Sequence, residues 1–106
     1  MKHIKRKNYK IHKSDEYQDW LDEQTLRDRH QIAGRISKIE EEGYFGIHKF
    51  LTDVVWELEW LNGRRVYYAY IAELDIILLL GGNKNGQNQD ITKAKKIFRK
   101  YAEIQT

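Results

Sequence analysis

Three observations predict an α+β domain for this chain. Four runs rich in β-branched and aromatic residues follow one another between positions 47 and 80. Asn62-Gly63 joins two of them, a strong short-range hairpin signal. Stretches before and after these runs carry apolar residues at helical spacing, so helices should pack on a mainly antiparallel sheet. With 106 residues, no proline, no Gly/Ser-rich linker and no repeat, the chain is expected to form a single domain, 1–106.

The elements can be justified in order. Residues 3–12 place Ile4, Tyr9 and Ile11 among lysines, and the Tyr9, Ile11 alternation predicts a short, partly exposed strand. Ser14, followed by Asp15 and Glu16, is a helix N-cap with an acidic first turn. Tyr17, Trp20 and Leu21 then form one apolar side of a helix ending near Glu23. Thr25 caps a second helix in which Leu26, Ile32, Ala33, Ile36 and Ile39 recur until Gly43 stops it. Strands are expected at 47–50, 54–61, 64–71 and 74–80, the run IILLL being apolar enough for a central strand covered on both faces. Gly81 and Gly82 would let the backbone turn sharply after Leu80. A last helix over about 88–104 gathers Ile91, Ala94, Ile97, Phe98 and Tyr101 on one side and Lys93, Lys95, Lys96, Arg99 and Lys100 largely on the other.

Composition excludes several functions. Without cysteine there is no disulfide, thiolate metal site or thiol catalysis, which suits a reducing cytosol. The basic start, MKHIKRKNYKIHK, is followed by polar residues rather than an apolar export segment, and Ile76 to Leu80 is too short to cross a bilayer. None of His3, His12, His30 and His48 has a second ligand at short helical spacing, so no metal is expected. The net charge of +3 fits a polyanionic partner or plain solubility equally well.

Several strings, taken together and in order, resemble a known family. They are WLDE at 20–23, EEGYFGIHK at 41–49, WEL at 56–58, RRVYY at 64–68, LLLGGNK at 78–84, and Gln87 with DITKAKK at 90–96. The resemblance is to the RelE/ParE superfamily of type II toxin–antitoxin toxins, in its small addiction-module-killer or HigB-like branch. Two departures stand out: Glu59 replaces the arginine usual after the Glu-Leu pair, and the usual Gly-Pro-Gly-Tyr turn is shortened to Asn62-Gly63-Arg64.

The resemblance implies a RelE-like fold, with two N-terminal helices packed on the sheet and a C-terminal helix. It also implies a cytoplasmic, ribosome-dependent endoribonuclease that cuts messenger RNA without a cofactor and is neutralised by a cognate antitoxin, commonly of helix-turn-helix type. In such a reaction a ribose 2′-hydroxyl attacks the neighbouring phosphodiester, so the enzyme must move two protons and stabilise a phosphorane. Rival readings are a ParE-like gyrase poison and, given Glu59, a relative that binds RNA or antitoxin without cutting.

Arginine forks and lysine point charges suit phosphate. Arg65 is expected to stabilise the transition state; the plainer alternative is a strand-end arginine screening Glu57 or Glu59. Lys84 is expected at the sheet edge over the same face, as phosphate ligand or leaving-group partner, or else in a loop whose Asn83, Asn85, Asn88 and Asp90 cap the last helix. Lys49 matches a family lysine, and His48 beside it is a candidate proton carrier, though lone histidines are usually structural. Arg64 and Tyr67 are candidate RNA contacts, Tyr67 by stacking on a base. Lys93 and Lys96, with the basic positions Lys5, Arg6, Lys7, Lys10 and Lys13, offer sequence-blind contacts to RNA or are simply solvated. Glu57 either orients Arg65, acts as a base, or makes a cross-strand ion pair.

Overall fold

The structure, a computed structural model describing residues 8–105, has the expected α+β architecture. Its elements are β1 (Lys10–Lys13), α1 (Asp15–Asp22), α2 (Leu26–Glu42), β2 (His48–Thr52), β3 (Val55–Glu59), β4 (Arg64–Ala72), β5 (Asp75–Asn83), a 3-10 turn (Lys84–Gly86) and α3 (Gln87–Gln105). The expected first strand is therefore seen at its C-terminal half, while His3, Ile4, Lys5, Arg6 and Lys7 lie outside the described residues.

The sheet order is β1-β5-β4-β3-β2, with β1 parallel to β5 and every other pairing antiparallel. Strand β5 lies between β1 and β4 and is buried on both faces, as its unbroken apolar run requires. Ile76 and Leu78 pack against Tyr17, Ile32, Ile36 and Ile39 of the first two helices. Ile77, Leu79 and Leu80 pack with Ala94 and Ile97 of α3 on the other face. Leu79 and Leu80 share a core, despite being adjacent, because the pairing shifts between Tyr67↔Leu80 and Tyr68↔Leu78. The extra residue is a bulge, and it resets which way β5 side chains point.

Local signals start and stop the helices where the sequence predicts. The Ser14 hydroxyl accepts from the Tyr17 N–H at 2.9 Å and donates to the Leu79 carbonyl at 2.7 Å, so one side chain both caps α1 and ties it to β5. Replacing Ser14 by Ala removes a cap and leaves a buried carbonyl short of a donor. The expected loss is about 1–2 kcal/mol, read by urea denaturation. The Thr25 hydroxyl accepts from the Asp28 N–H, and Gly43 ends α2 at φ 70°, a left-handed conformation that glycine adopts without a Cβ clash.

The glycine pair after Leu80 does something other than turn the chain. β5 continues through Gly81 and Gly82 to Asn83, and neither glycine has a positive φ. Absence of a side chain is what matters there. A Cβ on Gly81 would lie 2.1 Å from the Trp20 ring, and one on Gly82 would lie 2.2 Å from the Asp90 carboxylate. These positions let α1 and α3 close on the end of β5 from opposite sides.

Arg35, on α2, secures the approach to β2. Its guanidinium donates to the carbonyls of Phe45, Ile47 and Glu59 and sits 4.3 Å from the centre of the Trp60 ring. The connection 43–47 is thus held against the end of β3, which sets where β2 enters the sheet.

Candidate functional site

Strand pairing builds a four-residue checkerboard on the face shared with α3. Lys49 lies opposite Glu57 across β2 and β3, and Glu59 lies opposite Arg65 across β3 and β4. The diagonals are close as well. Arg65 Nε is 3.1 Å from Glu57 Oε1, and Arg65 Nη2 is 3.5 Å from Glu59 Oε1. Lys49 Nζ is 3.5 Å from the same Glu59 oxygen and 3.8 Å from Glu57 Oε2. Two cations and two carboxylates therefore balance, and each cation lies beside both carboxylates, while Glu57 and Glu59, neighbours on one face of β3, repel each other.

The members differ sharply in burial. Glu57 is 0% exposed and the side chain of Arg65 only 14%, whereas that of Lys49 is 56% exposed. Gln87, at the first turn of α3, donates its amide to Glu57 Oε1 at 2.7 Å. Glu57 Oε2 is buried with no hydrogen-bond partner. Burial raises the Glu57 pKa above the ordinary glutamate value; the Gln87 hydrogen bond and the charges of Arg65 and Lys49 oppose that rise, and the charge of Glu59 adds to it. Arg65 is further held by the carbonyls of Arg64 and Trp60, at 3.1 and 3.5 Å.

Of the predicted site residues, Lys49 and Arg65 come together. Lys84 lies at the same end of the sheet: Gly82, two residues earlier, pairs with Arg65, and the Lys84 N–H donates to the Gly63 carbonyl at 2.9 Å. Gly63, at φ 96°, is the left-handed residue of the shortened hairpin turn; a Cβ there would only touch the Lys84 stem, at 3.7 Å, so the backbone conformation is what calls for glycine. The Lys84 side chain is exposed and makes no ion pair among the described residues. The loop also has its capping role, since the Asn85 N–H donates to Asn83 Oδ1.

Three expectations are corrected. His48 faces away from Lys49 because neighbours in a strand point to opposite faces. Its ring stacks on Phe45 and its Nδ1 is 3.1 Å from the Tyr68 hydroxyl, on the α2 side, so it does not share the groove of Arg65. Arg64 is turned from Arg65 by the same alternation. It is 8% exposed and pairs with Asp28 of α2 at 2.9 Å, which makes it a tie between helix and sheet rather than a free RNA contact. Tyr67 does share the Arg65 face, but it is fully buried beneath α3, so its ring cannot stack on a base. Desolvation raises the pKa of its hydroxyl, with the Asp90 and Glu57 charges adding to the effect.

The α3 lysines divide by flank. Lys100 pairs with Glu16 and Lys93 stands beside Glu16, Asp19 and Glu23, so the flank carrying Lys93 and, by helical spacing, the exposed Lys96 looks toward acidic α1. Lys95, on the other flank, pairs with Asp53 in the turn between β2 and β3. Lys93 and Lys96 are thus separate from the checkerboard. The engagement of Gln87 with Glu57 and the place of Asp90 against Gly82 carry no signal in the sequence. The position of Glu59 opposite Arg65 comes from a three-residue connection, 61–63, closed by the Trp60 N–H on the Arg64 carbonyl; an even two-residue Asn62-Gly63 turn would have set Val66 opposite Glu59.

Among the described residues no helix is long and apolar enough to cross a membrane. No protein-family model matches the chain. An uncharacterized protein of Haemophilus influenzae is 35% identical over 82 residues, covering 74% of this chain and 82% of that protein. One chain of the toxin–antitoxin complex RelBE2 from Mycobacterium tuberculosis superimposes with a TM-score of 0.61, covering 76% of this chain and 97% of that one at 13% identity. At that identity the likeness speaks to the fold, which is RelE-like.

Proposed function

We propose, from the premise that this chain belongs to the same family as the Haemophilus influenzae protein and has a RelE-like fold, that it is the toxin of a toxin–antitoxin pair. In this reading it belongs to the HigB-like branch, acts in the cytoplasm as a single domain, and cuts messenger RNA on the ribosome until a cognate antitoxin, of helix-turn-helix type, covers it. The fold likeness supports the toxin role. The observation that carries the chemistry is the buried Glu57 carboxylate, with one oxygen lacking a hydrogen bond, set between Arg65 and Lys49.

Glu57 takes the proton of the attacking 2′-hydroxyl through its unpartnered oxygen, which is buried in the free protein and comes within reach when the RNA displaces the Lys49 and Glu59 side chains beside it. A raised pKa brings a carboxylate closer to the operating pH and makes it a better base. Gln87 and Arg65 hold the carboxylate in place. Arg65, reaching out from Glu57, and Lys49 stabilise the additional negative charge of the phosphorane. Lys84, on the exposed loop at the same end, binds a phosphate oxygen or partners the leaving group. His48, Tyr67 and Arg64 have no part in this chemistry.

The engagement of Arg65 with two carboxylates favours one second reading, a protein that binds RNA without cutting it. Inducing the full chain alone in cells and mapping messenger 5′ ends separates the two. Growth arrest with cuts inside codons is expected. DNA damage without such cuts would point to gyrase poisoning, and harmless expression would remove the toxin reading.

A further inference from the structure

We propose that Glu59 is a built-in competitor for the RNA phosphate, its carboxylate occupying the place between Lys49 and Arg65 that a phosphate oxygen takes in the complex. This deepens the RNA-cleaving reading and rests on it. A single oxygen, Glu59 Oε1, is 3.5 Å from both Lys49 Nζ and Arg65 Nη2, bridging two cations as a phosphate oxygen does.

The two carboxylates of the checkerboard are not equivalent. Glu57 is buried, contacts Arg65 at 3.1 Å and receives the Gln87 amide, so it is fixed. Glu59 is 24% exposed, and both its contacts are longer than the roughly 2.7–2.9 Å of a strong charge-assisted hydrogen bond. An ion pair of that kind is weak and open to exchange. A phosphodiester can accept two parallel hydrogen bonds from the arginine fork, and phosphates on either side add their own attraction.

Exchange requires little of the fold. The Glu59 N–H is bonded to the Ile47 carbonyl and its carbonyl is held by Arg35, so the backbone stays and only the side chain swings outward. Partial desolvation works against the Glu59 charge, but Arg65 and Lys49 outweigh it and keep the carboxyl below its ordinary pKa. The competitor is therefore anionic at neutral pH. With Glu59 displaced, Lys49 and Arg65 both face the incoming strand while Glu57 remains beneath them.

The test is binding of a fluorescein-labelled single-stranded oligouridylate to the full chain, read by fluorescence anisotropy across a salt series. Glu59→Gln is compared with Glu73→Gln, which removes the same charge from the exposed turn between β4 and β5 at the far end of β4. Glu59→Gln is expected to tighten binding up to about fivefold. The salt dependence should steepen by about 0.7, the increment for one more neutralised phosphate on a single strand. Glu73→Gln should produce neither change. Equal behaviour of the two variants would overturn the proposal. Toxicity and cleavage maps report separately on the parent reading: a harmless protein whose Glu59→Gln form still binds more tightly loses the nuclease assignment but keeps the phosphate site. A toxic protein whose RNA binding ignores Glu59 does the reverse.

Discussion

Under the proposed nuclease reading, replacing Glu57 by Gln should lower RNA cleavage by about 10²–10⁴-fold, the usual contribution of a positioned general base. The amide keeps the size of the side chain and still accepts from Gln87, while Arg65 retains Glu59 and two backbone carbonyls. What disappears is the proton acceptor. Cleavage by the unmodified protein should fall as pH drops through the Glu57 pKa, which burial places above the ordinary glutamate value of about 4.3. Residual cleavage by the variant should lack that acid limb.

Stability gives an internal control with the opposite sign. A carboxyl whose pKa is raised by folding favours the folded state most below its unfolded pKa, and that contribution is lost as pH rises through the folded value. Above that folded value the ionised, buried Glu57 is thus a cost of the site rather than a support, and the variant should melt close to the unmodified protein. A variant with full cleavage and an unchanged pH profile would remove Glu57 from the reaction.

The largest stability effect is expected at Gly81. A Cβ there would meet three Trp20 ring atoms at 2.1–2.2 Å, far inside van der Waals contact. Trp20 belongs to α1, which Ser14 ties to the Leu79 carbonyl, so the ring cannot retreat without carrying the helix. Gly81→Ala should cost about 1–3 kcal/mol, typical of overpacking, read by urea denaturation with an unchanged m-value. Combining it with Trp20→Leu should cost less than the sum of the two single changes, because the smaller side chain removes the collision. Gly82→Ala should be milder, since the atom it meets is the far end of the Asp90 side chain. Additive behaviour of Gly81→Ala and Trp20→Leu would mean that this contact does not explain the glycine.

The candidate site residues were unevenly legible. His48 and Lys49 are adjacent, as are Arg64 and Arg65, and strand alternation alone forbids either pair from sharing a face. That signal was available in the sequence and separates the candidates correctly once the α3 face is known. Tyr67 is different: parity places it with Arg65, and only the seating of α3 over the middle of the sheet makes it core. The bulge that puts Leu79 and Leu80 in one core has no local marker, because every residue near it is apolar.

By itself the sequence determined the order and type of the elements, the caps at Ser14, Thr25 and Gly43, and the two-sided burial of the Ile76–Leu80 run. These depend on short-range preferences and on apolar periodicity, which neighbouring residues carry. Tertiary structure alone decided that Gly81 and Gly82 are gaps for a ring and a carboxylate, and that Gln87 reaches Glu57 thirty positions away. It also decided that Arg65 is shared between two acids instead of standing free. Such facts depend on distances between remote segments, which are set only when α1 and α3 have closed on opposite faces of one sheet.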